Sequence, residues 1–148
     1  MSRRLARESA IQFLYSTDFN KNENLEEMLM EFFEINEDNN EDKPQDSLNT
    51  NDIRFSQEII RGTLDKLEYI DQLLQSNITG WTKERIAKVD LAILRLALYE
   101  IFFRDDIPDS VSINEALELA KKYSTDESSG FINGVLGKII RASDITGE

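Results

Sequence analysis

A chain of 148 residues with 40% hydrophobic side chains can bury one core, or two small sub-bundles sharing one, and no apolar run in it approaches the ~20 residues that span a bilayer. It has no cysteine and no histidine, which excludes disulfides, thiol chemistry, histidine-assisted nucleophiles and the common zinc sites. The net charge of −12 argues against nucleic acid as a partner, but residues 18–52 hold twelve acids and only two lysines, so the rest of the chain is nearly neutral at −2 and can carry a local basic face.

The first predicted helix runs from about Ser2 to Thr17, with Ala6, Ala10, Phe13 and Leu14 as its apolar stripe. Arg3, Arg4 and Arg7 fall within roughly a 100° arc of that helix and form one basic face. Cations are unfavourable at a helix N-terminus, where the macrodipole prefers acids. A patch for an anion accounts for three arginines there, because the planar guanidinium fork suits phosphate; incidental surface charge is the competing account.

Leu25, Met28, Leu29, Phe32 and Phe33 then follow the spacing of a one-sided helix, with Asn24 at the N-cap and Glu27 completing a capping-box pattern. The stretch NEDNNEDKPQDSLNTND has almost nothing apolar to bury, so residues about 36–51 read as a mobile acidic loop. A long third helix is expected from Ile53 to about Asn77, facing Phe55, Ile59, Ile60, Leu64, Leu67, Ile70 and Leu74 inward. Gly62 lies within it, where close approach of a crossing helix explains a residue that costs about 1 kcal/mol relative to alanine.

After a short turn around Trp81 to Lys88, VDLAILRLALYEIFF is apolar nearly all round, as in a buried central helix, with Asp90 placed to cap its start. Ser112 and Glu115 suggest a capping box ahead of a helix facing Ile113, Ala116, Leu117 and Ala120 inward. That helix ends in Lys121, Lys122 and Tyr123, a pairing of charge with a stacking surface that single-stranded RNA uses. The lysines also serve simply as dipole partners, and Tyr123 also fits a core position. The last helix is expected from Ser128 or Ser129 and carries Phe131, Ile132, Val135, Leu136, Ile139 and Ile140. Gly130, Gly134 and Gly137 lack the strand and the G-K-[ST] of a phosphate loop, so close helix packing is their expected role. The fold class is all-α, with six or seven helices and no sheet.

The carboxylates fall on solvated helix faces or in the acidic loop, and no pair is marked out for catalysis; no metal site, cofactor or enzymatic activity is expected. There is no secretory h-region, and a cytoplasmic protein is the default.

Three stretches, RRLARESAIQFLYS, KVDLAILRLALYEI and IPDSVSINEALELAKKYSTDESSGFINGVLGKI, resemble the NusB family of bacterial transcription antitermination factors. The match covers nearly the whole chain in order, except for the longer acidic insertion. The resemblance implies two perpendicular helical sub-bundles, about 1–78 and 79–148. It also implies antitermination on ribosomal RNA operons through single-stranded boxA RNA, bound together with NusE, a small-subunit ribosomal protein, and acting on RNA polymerase indirectly. Arg3, Arg4 and Arg7 match the family's RNA-contacting N-terminus. Lys121, Lys122, Tyr123, Glu127 and Ser128 match a second part of that surface, and Tyr15 and Asp90 match positions facing NusE. Two rivals follow from the same residues: the RNA-recognition domain of an RNA cytosine methyltransferase, which needs a methyl-donor domain that this chain, ending at Glu148, does not show, and a purely structural helical protein, as a homodimer in one version.

Overall fold

The computed structural model describes residues 3–17, 24–38 and 49–146. These form α1 (Arg3–Thr17), α2 (Leu25–Asp38), α3 (Thr50–Asp65), α4 (Leu67–Asn77), α5 (Lys88–Phe103), α6 (Asp109–Tyr123) and α7 (Asp126–Thr146), with a 3-10 turn at Lys83–Arg85. Seven α-helices and no strand among the described residues agree with the all-α reading. None of these helices is long and apolar enough to cross a membrane. Most of the predicted acidic loop, residues 39–48, lies outside the description.

The chain divides into two compact units, residues 1–61 and 62–148. The division falls inside α3 and not near residue 78, because α4 packs against α5 and α7.

In the first unit the apolar stripe of α1 is buried as its spacing predicts, and Leu29 and Phe33 of α2 join it with Phe55, Ile59 and Ile60 of α3. Phe32 meets Phe13 edge-on at 5.5 Å, the favoured geometry for aromatic pairs. Asn24 caps α2 as read, its Oδ1 accepting the Glu27 N–H at 3.1 Å. Asn49 and Asp52 form an unanticipated reciprocal cap at the start of α3: Asn49 Oδ1 accepts the Asp52 N–H at 2.9 Å, and Asp52 Oδ2 accepts the Asn49 N–H at 3.4 Å. Arg61 grips both oxygens of Glu26, at 3.1 and 2.8 Å, joining α3 to α2. The hydrogen bond from Arg61 holds the Glu26 carboxyl below the usual carboxylate range.

In the second unit α5 is the centre: Asp90 to Leu98 is buried without interruption. Arg95 of α5 clamps Asp71 of α4 with two hydrogen bonds, 2.9 and 2.8 Å, so a charge near the core has a bidentate partner. The expected single helix from Ile53 to Asn77 is broken at Lys66, whose φ of −101° and ψ of 13° leave the helical region. Backbone bonds still span the break, from Lys66 N–H to Gly62 and from Ile70 N–H to Lys66. A one-residue break leaves the apolar period intact, so periodicity could not reveal it. Gly62 does meet a crossing helix: a Cβ there would collide with the Tyr99 ring of α5.

Two capping expectations need correction. α6 begins at Asp109 with Pro108 as its N-cap, which puts Ser112 inside the helix. Its buried hydroxyl donates to Glu100 Oε1 at 2.8 Å and joins α6 to α5. Asp90 makes no cap either, since Ala87 holds that position on α5 with no side-chain cap bond. The last helix starts at Asp126, two residues earlier than expected, with the Thr125 hydroxyl accepting the Ser128 N–H at 2.9 Å in capping geometry.

Candidate nucleic-acid interface

The predicted site residues fall in two places, one in each unit.

In the first unit, α1 opens with no acid in its first turn, where a helix macrodipole favours one, and Arg3 and Arg4 there are both exposed. Arg7 is different. Only 4% of it reaches solvent, so the predicted three-arginine face presents two arginines. A helical wheel gives angle but not depth: Arg7 shares the arc of Arg3 and Arg4, yet lies one turn further in, where α3 covers it. Phe55 of α3 is one residue it meets there. The Arg3 guanidinium carbon stands 4.2 Å from its ring centroid and that of Arg7 5.4 Å. Beside it, the buried Ser56 hydroxyl donates to the Ala6 carbonyl at 2.9 Å and fixes the start of α1 against α3. Towards the other end of α1, Tyr15 is 43% exposed.

In the second unit the site is the junction of α6 and α7. Lys121, Lys122 and Tyr123 are all exposed, which removes the core alternative for Tyr123. Lys121 lies 3.6 Å from Glu118 one turn earlier, a loose surface pair, and the Lys122 ammonium stands 5.4 Å from the Tyr123 ring centroid. The junction therefore presents two ammonium groups and an aromatic ring at the C-terminal end of a helix, a grouping suited to phosphate and base together. Glu127 is exposed on the first turn of α7.

Ser128 and Asp90, predicted for different ligands, are bonded to each other. The Ser128 hydroxyl donates to Asp90 Oδ2 at 2.8 Å and accepts from the hydroxyls of Ser124, at 2.9 Å, and Thr125, at 3.1 Å. That hydroxyl is thus engaged by three side-chain partners within the junction. Asp90 is only 6% exposed, and its Oδ1 is buried with no hydrogen-bond partner. Both act here as the internal frame of the junction.

Phe131 is 39% exposed on α7. A Cβ on Gly130 or Gly134 would meet nothing within 4 Å, so neither mediates close packing and both leave the helix surface around Phe131 open. Phe55, expected in the core, is buried there and also lies beneath two guanidinium groups. Among the described residues no group of three or more acids could hold a metal ion.

A profile of the NusB family matches residues 4–141. A transcription antitermination protein NusB of Clostridium botulinum (strain Kyoto) is 47% identical over 144 residues, which are 95% of this chain and all of that protein. The one from Acetivibrio thermocellus is 43% identical over 141 residues, 95% of this chain and 90% of that protein. Among solved structures, T. maritima NusB superposes with a TM-score of 0.78 at 33% identity, covering 95% of this chain and 92% of that one. A chain from a crystal structure of the antitermination factors NusB and NusE in complex with double-stranded RNA gives 0.77 at 26% identity, covering 95% and 96%.

Proposed function

The chain belongs to the NusB family, and from that premise we propose that it is a cytoplasmic transcription antitermination factor that binds boxA-like single-stranded RNA together with NusE and acts on the RNA polymerase elongation complex through that assembly. It works by binding and not by catalysis. Arg3 and Arg4 meet the RNA backbone; Lys121, Lys122 and Tyr123 meet phosphate and base, with Glu127 at the margin. Tyr15 faces the protein partner, while Arg7, Ser128 and Asp90 support these surfaces from beneath.

The observation that carries this reading is the pair of exposed arginines on an acid-free first turn of a protein whose net charge is −12. Such a turn is unfavourable for the helix and gains when an anion arrives. Two patches of this size bind weakly alone: three to five phosphate contacts give a log–log salt slope of only about −2 to −3.5. A protein partner that extends the surface supplies the rest. The exposed Tyr123 ring favours unpaired bases over duplex, because a base must be unstacked before an aromatic side chain can take its neighbour's place.

The test is RNA binding with and without NusE, using a boxA-like strand and the same strand annealed to its complement. Tighter binding of the single strand when NusE is present is expected. Arg3→Ala/Arg4→Ala should weaken it and reduce the magnitude of the salt slope by about 1.4, two contacts at roughly 0.7 each. Equal affinity of the double variant, or no binding of either RNA beside NusE, would overturn the reading. Arg7 stays in place in this variant because its burial would mix stability into the result.

A further inference from the structure

The aromatic ring under the N-terminal arginines has more to do than fill the core. Phe55 is 5% exposed and is fixed by α3, whose neighbouring residue Ser56 is bonded to the backbone of α1. Two guanidinium groups from successive turns of α1 converge on that one ring, Arg3 at 4.2 Å and Arg7 at 5.4 Å. Packing alone does not call for this, since any apolar side chain of similar volume would seal the α1–α3 contact. An aromatic face adds an attraction for cations that an aliphatic side chain lacks. It also offsets the mutual repulsion of two like charges brought to one place.

The consequence falls on Arg3. An exposed arginine samples many rotamers, and binding must pay for ordering them. Held over the ring, the guanidinium is ordered before RNA arrives. We propose that Phe55 is a positioning residue for RNA binding, its ring face holding the Arg3 guanidinium in place at the start of α1 so that a backbone phosphate meets a pre-organised fork. This rests on Arg3 being a phosphate contact, as argued above, and adds the residue that makes that contact efficient.

A double-mutant cycle on the full chain tests it, with a boxA-like single strand and NusE present. Phe55→Leu should lower RNA affinity about three- to ten-fold, the range a partly exposed cation–π contact supports. Phe55→Tyr and Phe55→Trp keep an aromatic face and should stay within about two-fold of wild type. In the Arg3→Ala background, Phe55→Leu should cost nothing further. An equal loss in both backgrounds would show that the ring acts through packing and would overturn the proposal, as would wild-type affinity in Phe55→Leu. Should Phe55→Leu fold poorly, Phe55→Met keeps the volume and replaces it in the cycle. A second readout needs no RNA: the Arg3 side-chain protons of the free wild-type protein should show an aromatic ring-current shift that disappears in the aliphatic variant. Absence of that shift in wild type also overturns the proposal. Failure of wild type to bind RNA would instead defeat the functional reading on which the proposal stands, even with the ring-current shift present.

Discussion

Ser128 engages three side-chain partners inside the α6–α7 junction, and Asp90 meets it through Oδ2 alone. The consequence is asymmetric. Ser128→Ala leaves a buried carboxylate without the one donor it has, at a cost of about 1–3 kcal/mol. Asp90→Ala removes the carboxylate together with its unpartnered oxygen, and leaves behind a half-buried hydroxyl that can turn to other acceptors. Ser128→Ala should therefore destabilise the protein more than Asp90→Ala, measured by denaturant unfolding; the reverse order would mean that the Ser128–Asp90 bond does not carry the junction. Sequence alone could not have found this bond, because its partners are 38 residues apart and each fitted a plausible local role. Asp90 stands in the first turn of α5, where an acid suits the dipole, and Ser128 stands where a helix was expected to begin. Arg3 and Arg4 are exposed, as the basic arc of α1 predicts. Arg7 is buried despite its place on the basic arc, since angular position on a helix is local but what covers that face is not.

Among elements, helix existence followed from apolar spacing, while starts and breaks depended on competing local signals. The Ser112–Glu115 pattern has the form of a capping box, yet Pro108 and Asp109 open α6 a turn earlier, and the helix simply continues through Ser112 into contact with Glu100. Proline ahead of a helical run, followed by an acid in the first turn, was the stronger signal. Gly62 is the opposite case: its place inside a helix could be explained from sequence only by a close neighbour, and Tyr99 is that neighbour. Tyr99 is itself held in a stack with Phe103, 6.0 Å between centroids and 19° between planes, so the ring does not move aside freely. Gly62→Ala should then destabilise by about 1–3 kcal/mol through overpacking. In a Tyr99→Ala background the collision is gone and only helix propensity remains, so the same substitution should become stabilising, by up to about 1 kcal/mol. The change of sign between backgrounds, read from unfolding midpoints, is the diagnostic. A loss of equal size in both would place the need for glycine somewhere other than the α3–α5 approach.

Across the whole molecule, a net charge of −12 opposes RNA, and two exposed arginines with a lysine pair must act against it locally. Salt separates the two effects. At about 0.01 M ionic strength the screening length is roughly 30 Å, the diameter of a small domain, so every charge on the chain contributes to the potential an approaching RNA feels. At about 0.15 M it falls to roughly 8 Å, and only charges beside the bound strand still count. Glu41, Asp42 and Asp46 belong to the segment in which the acids are concentrated. Changing all three to their amides should raise RNA affinity several-fold at low salt and steepen its salt dependence, because repulsion that was weakest at high salt has been removed. Arg3→Ala/Arg4→Ala should do the opposite, weakening binding at every salt concentration and flattening the slope. Whatever gain the amide variant keeps at 0.15 M measures how near the segment comes to the RNA. Unchanged affinity at low salt would mean that the total charge of the chain is not felt at the binding surface. The basic patches would then have no global repulsion to overcome, and the weak binding expected without NusE would need another cause.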